Sequence, residues 1–98
     1  MTEPRFEWDP AKNRANILKH GVNFEDAAEV FRDPFHQITF DAFENGEERW
    51  RSFGVVDGFA LIIVVHTYRD DEGGEVIRII SARRATRPER RKYEHENG

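Results

Sequence analysis

The sequence predicts an α+β domain in which two helices precede an antiparallel sheet of four to five strands and a third helix follows it. Three observations support this order. Apolar residues recur with a helical period of about 3.6 up to residue 31, and with a period of two beyond it. Asn45-Gly46 and Asp57-Gly58 are short turn signals of the kind that joins antiparallel strands. Thr86-Arg87-Pro88-Glu89 is a capping box that opens a terminal helix.

The first half of the chain is predicted to form one short strand and two capped helices. Asp9-Pro10 supplies an N-cap and a first helical residue, because proline lacks an N–H group that would be unpaired there. Gly21 can adopt the left-handed conformation that ends a helix, and Asn23 caps the next one. The expected boundaries are a strand over Arg5–Trp8, a helix ending at His20-Gly21, and a helix over Phe24–Phe31 that stops at Asp33-Pro34.

The second half is predicted to form four strands and the terminal helix. The third of these strands is almost wholly apolar through its first seven residues, so we expect it to lie centrally with both faces covered. The polar segment Arg69–Glu75 is expected to be a loop. The expected strands are Gln37–Asp41, Arg49–Val56, Phe59–Tyr68 and Val76–Arg83.

Length and composition limit the class of protein. Its 98 residues predict a single domain, 1–98, with one core. The absence of cysteine excludes disulfides and thiolate metal sites, and no apolar run approaches the length of a membrane span or a secretory signal. The four histidines lack metal-ligand spacing, and there is no glycine-rich phosphate loop. We therefore expect a cytoplasmic protein without a metal, a cofactor or a membrane partner.

Positive charge is concentrated near the end of an acidic chain. The segment Arg78–Tyr93 holds seven of the 15 basic residues and one acid, whereas the rest of the chain holds eight basic and 18 acidic residues. Arginine binds phosphate through two parallel hydrogen bonds and stays charged at any working pH. The segment therefore favours an anion-binding surface, and the alternative is a solvated terminal helix with internal salt bridges.

The two late hairpins would decide which side chains share a face of the sheet. A two-residue turn at Asp57-Gly58 would place Arg49 opposite His66. Closure of the next hairpin with Tyr68 opposite Val76 would place His66 opposite Arg78. The resulting polar row would comprise Arg49, His66 and Arg78 with Arg51 beside it, and the other face would carry the core residues Trp50, Phe59, Leu61, Ile63, Val65, Ile77 and Ile79.

Such a row of like charges destabilises a sheet unless a polyanion compensates for it. It could hold a phosphodiester while the arginines neutralise the charge of the phosphorane. His66, with its pKa lowered by two cationic neighbours, could transfer a proton near neutral pH. That would suffice for metal-independent RNA cleavage by the ribose 2′-hydroxyl. Alternatively the arginines pair with nearby acids and His66 is an ordinary half-buried imidazole, and a slip of one residue would move it to the core face.

Several stretches are specific in combination: Phe6-Glu7-Trp8-Asp9, Leu18-Lys19-His20-Gly21-Val22, the Phe24–Phe31 helix with Asp33-Pro34, and Ile79-Ile80-Ser81-Ala82-Arg83-Arg84-Ala85-Thr86 followed by Glu89-Arg90 and Tyr93. From about Phe6 to Tyr93 the chain thereby resembles the BrnT family of toxins from bacterial type II toxin–antitoxin systems. The resemblance implies a RelE-like ribonuclease fold and inhibition of translation through RNA cleavage. It also implies neutralisation by a BrnA-type antitoxin, with operator DNA bound only through the toxin–antitoxin complex. A homodimer within a heterotetramer is an assembly that the resemblance allows.

The candidate site combines the resemblance with the predicted register. The resemblance supplies Lys19, His20, Arg49 and Arg83, whereas the register favours Arg84 over Arg83 for the shared surface. Lys19 and His20 also suit the end of a helix dipole without any catalytic role. Tyr93 is a minor candidate. The candidate catalytic residues are Lys19, His20, Arg49, His66, Arg78 and Arg83, and the candidate RNA-binding residues are Arg51, Arg84, Arg87, Arg90 and Arg91.

Three functions are compatible with these patterns. The favoured one is a toxic endoribonuclease. The second is a catalytically silent module whose basic strand and helix hold an acidic antitoxin segment and which acts only as a co-repressor. Direct binding of duplex DNA is weaker, because no helix-turn-helix pattern presents base-reading side chains. The endoribonuclease and the silent module can be distinguished by experiment: only the endoribonuclease should arrest growth and fragment RNA when the chain is expressed alone.

Overall fold

The computed structural model describes residues 4–58 and 60–97. It confirms the α+β class and the element order β-α-α-β-β-β-β-α. A 3₁₀ turn, Glu29–Arg32, continues the second helix, and no helix among the described residues is long and apolar enough to cross a membrane. The elements are β1 (Arg5–Glu7), α1 (Pro10–His20), α2 (Phe24–Ala28), β2 (Gln37–Glu44), β3 (Glu47–Val56), β4 (Ala60–Asp71), β5 (Gly74–Arg84) and α3 (Arg87–Asn97).

The five strands form one mixed sheet in the order β1-β5-β4-β3-β2. Strands β2 to β5 are antiparallel, as predicted, and β1 adds to β5 in parallel because two helices and three strands separate the two along the chain. The central β4 is buried on both sides, which confirms its predicted position. Ile62 and Val64 face the core beneath α2, whereas Leu61 and Ile63 are buried on the other face of the sheet.

The main core lies between α2 with its 3₁₀ turn and one face of the sheet, here called the core face. Phe24, Ala27 and Val30 are completely buried there. Their spacing of three residues places them on one side of the helix, as the apolar pattern predicts. The buried residues packed with them are Val22, Val56, Ile62, Val64, Ile79 and Ala82.

The register of both late hairpins differs from the prediction by one residue. Val56 pairs with Ala60, so Trp50 rather than Arg49 lies opposite His66. The predicted partner of Val56, Phe59, lies outside the described residues. The expected loop Arg69–Glu75 is largely strand, since the hairpin closes with Asp71 opposite Gly74, and His66 lies opposite Ile79. The predicted row Arg49–His66–Arg78 is therefore wrong.

A one-residue change of register exchanges the two faces of a strand. His66 consequently lies on the core face and Arg78, opposite Thr67, lies on the other. Three residues predicted for the core face lie instead on the side away from α2: Leu61, Ile63 and Val65. Their neighbours Ile62 and Val64 occupy the core positions. The prediction holds for Trp50, Ile77 and Ile79, which share the face of His66.

Two β-bulges change the alternation within strands. In β5, Val65 pairs with Ser81 and His66 pairs with Ile79, so Ile80 is the extra residue. Because the bulge inverts the alternation, Arg83 shares a face with Arg78. In β2 the register shifts between Phe40 and Ala42, and Asp41 is the extra residue. Bulges of this kind re-aim side chains, and both of these border the cavity described below.

His66 is a completely buried polar residue of the core. Its Nε2 lies 2.7 Å from Ser52 Oγ, and its ring contacts Phe31 and Tyr68 edge-on, each with 4.9 Å between centroids. Burial lowers the pKa of His66 to about 4, against a smaller opposing effect of the Thr67 backbone. The imidazole is therefore neutral at pH 7, and it lies away from both arginines predicted to flank it.

The helix α1 is attached to the sheet by one buried amide. Asn16 is the buried residue of this helix, whereas Leu18 is 90% exposed. Asn16 Nδ2 donates to the carbonyls of Val22 and Ala82, both at 2.8 Å, and Oδ1 accepts from the Ala82 N–H at 3.2 Å. Strand β1 pairs with the outer edge of β5 only as far as Arg78. Beyond that point Asn16 forms hydrogen bonds with the backbone N–H and carbonyl of Ala82, which β1 does not reach.

The predicted capping box of α3 is confirmed. The Thr86 N–H donates to Glu89 Oε1 at 2.8 Å, and the Glu89 N–H donates to Thr86 Oγ1 at 3.4 Å. Further along, the Tyr93 hydroxyl donates to Asp33 Oδ2 at 2.9 Å, and the Val55 N–H donates to the same oxygen at 2.8 Å. Asp33 therefore joins α3 to the end of β3.

Asn16→Ala should lower the free energy of unfolding by about 2–4 kcal/mol, because it leaves three buried backbone groups without their partner. Asn13→Ala is the matched control in the same helix, since Asn13 accepts a single bond, from the Phe24 N–H, and should cost about 1 kcal/mol. Urea unfolding followed by circular dichroism measures both. Equal losses for the two variants would contradict the bridging role of Asn16.

The stability of the protein should fall as pH drops from 6.5 toward 4. The pKa of His66 is about 4 in the folded protein, below its ordinary value of 6.5. As the pH falls, the unfolded chain therefore binds the proton first, which favours unfolding. The folded protein has its full stability with respect to this group only above about pH 6.5. The expected slope is about 1.4 kcal/mol per pH unit within that window. Urea unfolding at pH 7.5 and 5.5 should show this loss, and His66→Gln should reduce it. An equally steep loss in that variant would refute the assignment.

Candidate functional site

On the face of the sheet opposite α2, three basic side chains line one cavity of about 310 Å³. Arg51 comes from β3, Arg83 from β5 and His20 from the end of α1. The apolar residues Ile63 and Val65 of β4 form part of the lining between the two arginines. We call this the cationic cavity. It combines charged groups from three separate parts of the chain over an apolar floor.

Arg83 is held by a two-pronged ion pair with α3. Its Nη1 lies 2.8 Å from Glu89 Oε1 and its Nη2 lies 3.0 Å from Glu89 Oε2. The Arg83 guanidinium, with help from the Thr86 cap, lowers the pKa of Glu89 to about 2. The carboxylate is therefore ionised throughout the neutral range, and it fixes the arginine while capping α3. The Arg83 side chain remains 38% exposed.

Arg51 is held by the bulged residue of β2. Its Nε lies 3.0 Å from Asp41 Oδ1, and its side chain is also 38% exposed. The Arg51 Nε has no well-aligned hydrogen-bond acceptor, so this contact is a charge pair and not a directed bond. Arg49, two residues earlier on the same face of β3, pairs with Glu44 at 2.8 Å. Asp41 and Glu44, both on β2, thus hold two arginines of β3 in place.

His20 reaches the cavity because α1 ends beside the open edge of β5. Gly21 has a φ of 71° and donates its N–H to the Ile17 carbonyl at 2.8 Å, which ends the helix where the sequence predicted. Asn16 holds the preceding turn against Ala82, so the next turn brings His20 over Ser81 and Arg83.

Tyr93 lies at the edge of the same face. Burial, together with the hydrogen bond to Asp33, raises the pKa of Tyr93 to about 12. Burial alone would raise the pKa of Asp33, but the N–H groups of Val55 and Phe35 and the Tyr93 hydroxyl together lower it. The phenol thus stays protonated, and it anchors α3 over the sheet.

The structure unites some of the predicted residues and separates others. His20, Arg51 and Arg83 line the cationic cavity, and Arg49 lies on the same face. Lys19 is exposed at the end of α1 and does not line the cavity. Arg78 shares this face but lies at its far end, beside Glu7, Trp8 and Asp9.

Two of the predicted residues lie on the wrong side of the sheet. His66 is buried in the core, as described above. Arg84 pairs with Ile62 and lies near Gly21 and Asp26 on the core-face side, because the bulge at Ile80 exchanges the faces of the two consecutive arginines. The conflict between Arg83 and Arg84 is thereby settled in favour of Arg83 as the residue on the surface opposite α2.

The candidate RNA-binding arginines of α3 are exposed to solvent. Arg87, Arg90 and Arg91 all lie on its surface, and Arg90 Nε lies 2.9 Å from Glu94 Oε1. Among residues 4–58 and 60–97, no three histidine, aspartate or glutamate side chains gather in a way that could hold a metal ion.

Sequence reasoning missed the polar residues that position the site. Asn16 looks like an ordinary polar residue of an amphipathic helix, and Asp33 looks only like a helix stop before Pro34. Asp41 is directed toward Arg51 by a β-bulge, and no local sequence pattern predicts that bulge. The pairing of Glu89 with Arg83 has one signal in the sequence, since Glu89 belongs to the predicted capping box and Arg83 lies three residues before that box begins.

Comparisons with known proteins agree with the fold and with the family resemblance. The model of a family described as "Ribonuclease toxin, BrnT, of type II toxin-antitoxin system" matches residues 8–89. The 1.1 Å crystal structure of the Brucella abortus ribonuclease toxin, BrnT, is similar to this chain, with a TM-score of 0.61 and 27% sequence identity. The match covers 87% of this chain and 100% of that one. No curated protein sequence matches the chain.

Proposed function

Since this chain belongs to the BrnT family of ribonuclease toxins of type II toxin–antitoxin systems, we propose that it is an endoribonuclease that cleaves RNA in the cationic cavity. The observation that carries this proposal is the convergence of Arg51, Arg83 and His20 on one cavity. Two guanidinium groups suit a phosphodiester, and an imidazole suits proton transfer.

The ion pairs of the two arginines support binding of a phosphate. A guanidinium has five N–H donors, so a single carboxylate partner leaves donors for a ligand. Asp41 and Glu89 hold Arg51 and Arg83 in place before substrate arrives. Preorganised donors of this kind stabilise developing charge without the cost of reorientation. Ile63 and Val65 reduce the polarity of the floor, which strengthens the electrostatic contacts.

The proposed reaction uses the ribose of the substrate as nucleophile. His20 accepts the proton of the 2′-hydroxyl as the 2′-oxygen bonds to phosphorus. The bond from phosphorus to the 5′-oxygen then breaks, the leaving oxygen takes up a proton, and the products are a 2′,3′-cyclic phosphate and a 5′-hydroxyl. Arg51 and Arg83 neutralise the added charge of the phosphorane. The guanidinium groups supply the positive charge in this scheme, so no step requires a metal ion.

Arg49, Lys19 and the exposed arginines of α3 are proposed to contact the RNA backbone. Arg49 extends the cavity along β3, and Lys19 lies next to His20 at the end of α1. The exposed arginines of α3 add to the same positive field. Contacts of this kind bind phosphates regardless of sequence, and salt weakens them.

We propose that cleavage inhibits translation in the cytoplasm and that a BrnA-type antitoxin neutralises it. Operator DNA would be bound only through the complex of the two proteins, and the toxin could assemble as a homodimer within a heterotetramer. Membership of a type II toxin–antitoxin family supports an antitoxin partner, whereas the BrnA type, the operator DNA and the assembly are proposed from the sequence resemblance.

A catalytically silent module is the second candidate. It is favoured by the ion pairs just described, because both arginines of the cavity already have a carboxylate partner. An acidic antitoxin segment could replace those carboxylates without any chemistry. The two candidates differ in what the chain does by itself, since only the nuclease should fragment RNA.

Arg83→Ala should abolish growth arrest when the chain is induced without antitoxin, whereas the wild type should arrest growth and fragment RNA. Loss of a transition-state donor should lower the cleavage rate of the purified protein by about 10²–10³-fold. Arg84→Ala is the matched control, because the neighbouring side chain lies on the core-face side of the sheet. Arrest by folded Arg83→Ala and Arg51→Ala variants alike would contradict the proposed site.

Glu89→Gln should lower kcat by about tenfold while lowering KM, because Arg83 loses its fixed position and the phosphate loses a nearby negative charge. The glutamine carbonyl can still accept the Thr86 N–H, so α3 should remain capped. Steady-state cleavage of a short RNA measures both constants. Glu94→Gln, which removes a carboxylate paired with Arg90 on the same helix, should leave them unchanged. A rise in KM with unchanged kcat would contradict the positioning role.

A further inference from the structure

A second depression, of about 380 Å³, adjoins the cationic cavity. It lies between α3 and the strands β2 and β3, and we call it the α3 groove. Arg51 lines both spaces, so they meet at this side chain. The volume is within the range of about 300–1,000 Å³ that is usual for small-molecule sites. The groove is therefore a continuation of the proposed site with room for another part of the substrate.

The register of the sheet orders the side chains along this groove. Thr39 lies opposite Arg51, and Gln37 lies opposite Phe53 two residues further along. Both pairs are on the face that carries the cationic cavity. Two residues along a strand span about 7 Å, which is the scale of a single nucleotide. A chain that places a phosphate beside Arg51 would thus bring a neighbouring base toward Gln37 and Phe53.

The two spaces offer different groups to a ligand. The cationic cavity is lined by two arginines, His20 and one acid, Asp41, and Glu89 reaches Arg83 from the α3 side. The α3 groove is lined by two cations, Arg51 and Lys92, and by two acids, Glu89 and Glu96. The guanidinium donors left over from the ion pairs suit an anion in the cavity, whereas the balanced charges of the groove suit a neutral group.

The other side chains of the groove suit a heteroaromatic ring. The half-buried Phe53 offers aromatic surface, on which bases stack, and the buried Tyr93 forms part of the lining behind it. Gln37 and Thr39 offer an amide and a hydroxyl, which together can donate and accept hydrogen bonds at the edge of a base. Thr39 is exposed and Gln37 is half-buried, so both are accessible to a ligand.

We infer that the α3 groove binds one nucleobase of the RNA next to the phosphate held in the cationic cavity, and that Gln37 and Thr39 determine which base is preferred. This inference rests on the proposed function for the identity of the substrate. It adds a source of sequence preference on the sheet, separate from the groups that perform the reaction.

The experiment measures binding without cleavage. The probes are RNA trinucleotides whose first and central 2′-hydroxyls are both replaced by hydrogen, so that neither linkage has its nucleophile. Each of the four bases is placed in turn at the nucleotide before and after the second linkage. At one position the wild-type protein should discriminate between the best and worst base by about fivefold or more, the scale of one hydrogen bond. Gln37→Ala or Thr39→Ala should reduce that ratio to about twofold or less.

Phe43→Ala is the control on the same strand, since Phe43 is 66% exposed and lies outside both spaces. It should keep the wild-type ratio, and circular dichroism should show that all variants are folded. Equal affinity for the four bases at both positions, or an unchanged ratio in both groove variants, would overturn the inference. Base-dependent binding without cleavage of the all-ribose RNA would uphold it and overturn the proposed catalysis. Failure to bind any probe would overturn both.

Discussion

The position of α1, and with it one side of the proposed site, depends on the amide of Asn16. The helix contributes little apolar surface, since its one buried residue is polar and Leu18 is almost fully exposed. Its attachment therefore relies on directed hydrogen bonds to Val22 and Ala82, which have strict distance and angle requirements. Such bonds fix the rotation of a helix more narrowly than apolar contact does. Because His20 lies one turn after Asn16 in the same helix, the position of its imidazole is fixed by the same hydrogen bonds.

Local interactions made the order and ends of the elements predictable. Asp9 and Asn23 cap their helices through side-chain bonds to the backbone, and Thr86 with Glu89 forms its reciprocal pair, all within three residues in sequence. Asn45-Gly46 turns with positive φ at both residues, as the hairpin rule requires. Interactions of this range can be recognised in a sequence because the partners are close together in it.

The register was not predictable in the same way, because it depends on single residues in connections and on packing across the sheet. The hairpins after Val56 and after Asp71 each close one residue away from the expected pair. That small difference moved His66 from the proposed site into the core. Arg83 was predicted from the family resemblance, and Arg51 was predicted from the register that the structure corrects. The partner of Arg51, Asp41, could be assigned only from three-dimensional positions.

The paired arginines suggest how a small acidic protein keeps a cationic cavity. Each guanidinium has a carboxylate that holds it in place, and the carboxylates also serve the fold, one as the cap of α3 and one as the extra residue of a bulge. The same contacts therefore stabilise the elements and orient the groups of the proposed site. This linkage makes the site rigid, because a change in the position of either arginine disturbs a structural contact.

The bulge at Ile80 divides β5 into two segments whose side-chain orientations are independent of each other. The segment before it pairs with β1, whereas the segment after it carries Arg83 and meets α1. If Ile80 were paired instead of bulged, strict alternation would place Arg84 on the face of the cavity and turn Arg83 toward α2. The single bulged residue thus decides which of two adjacent guanidinium groups lies on that face.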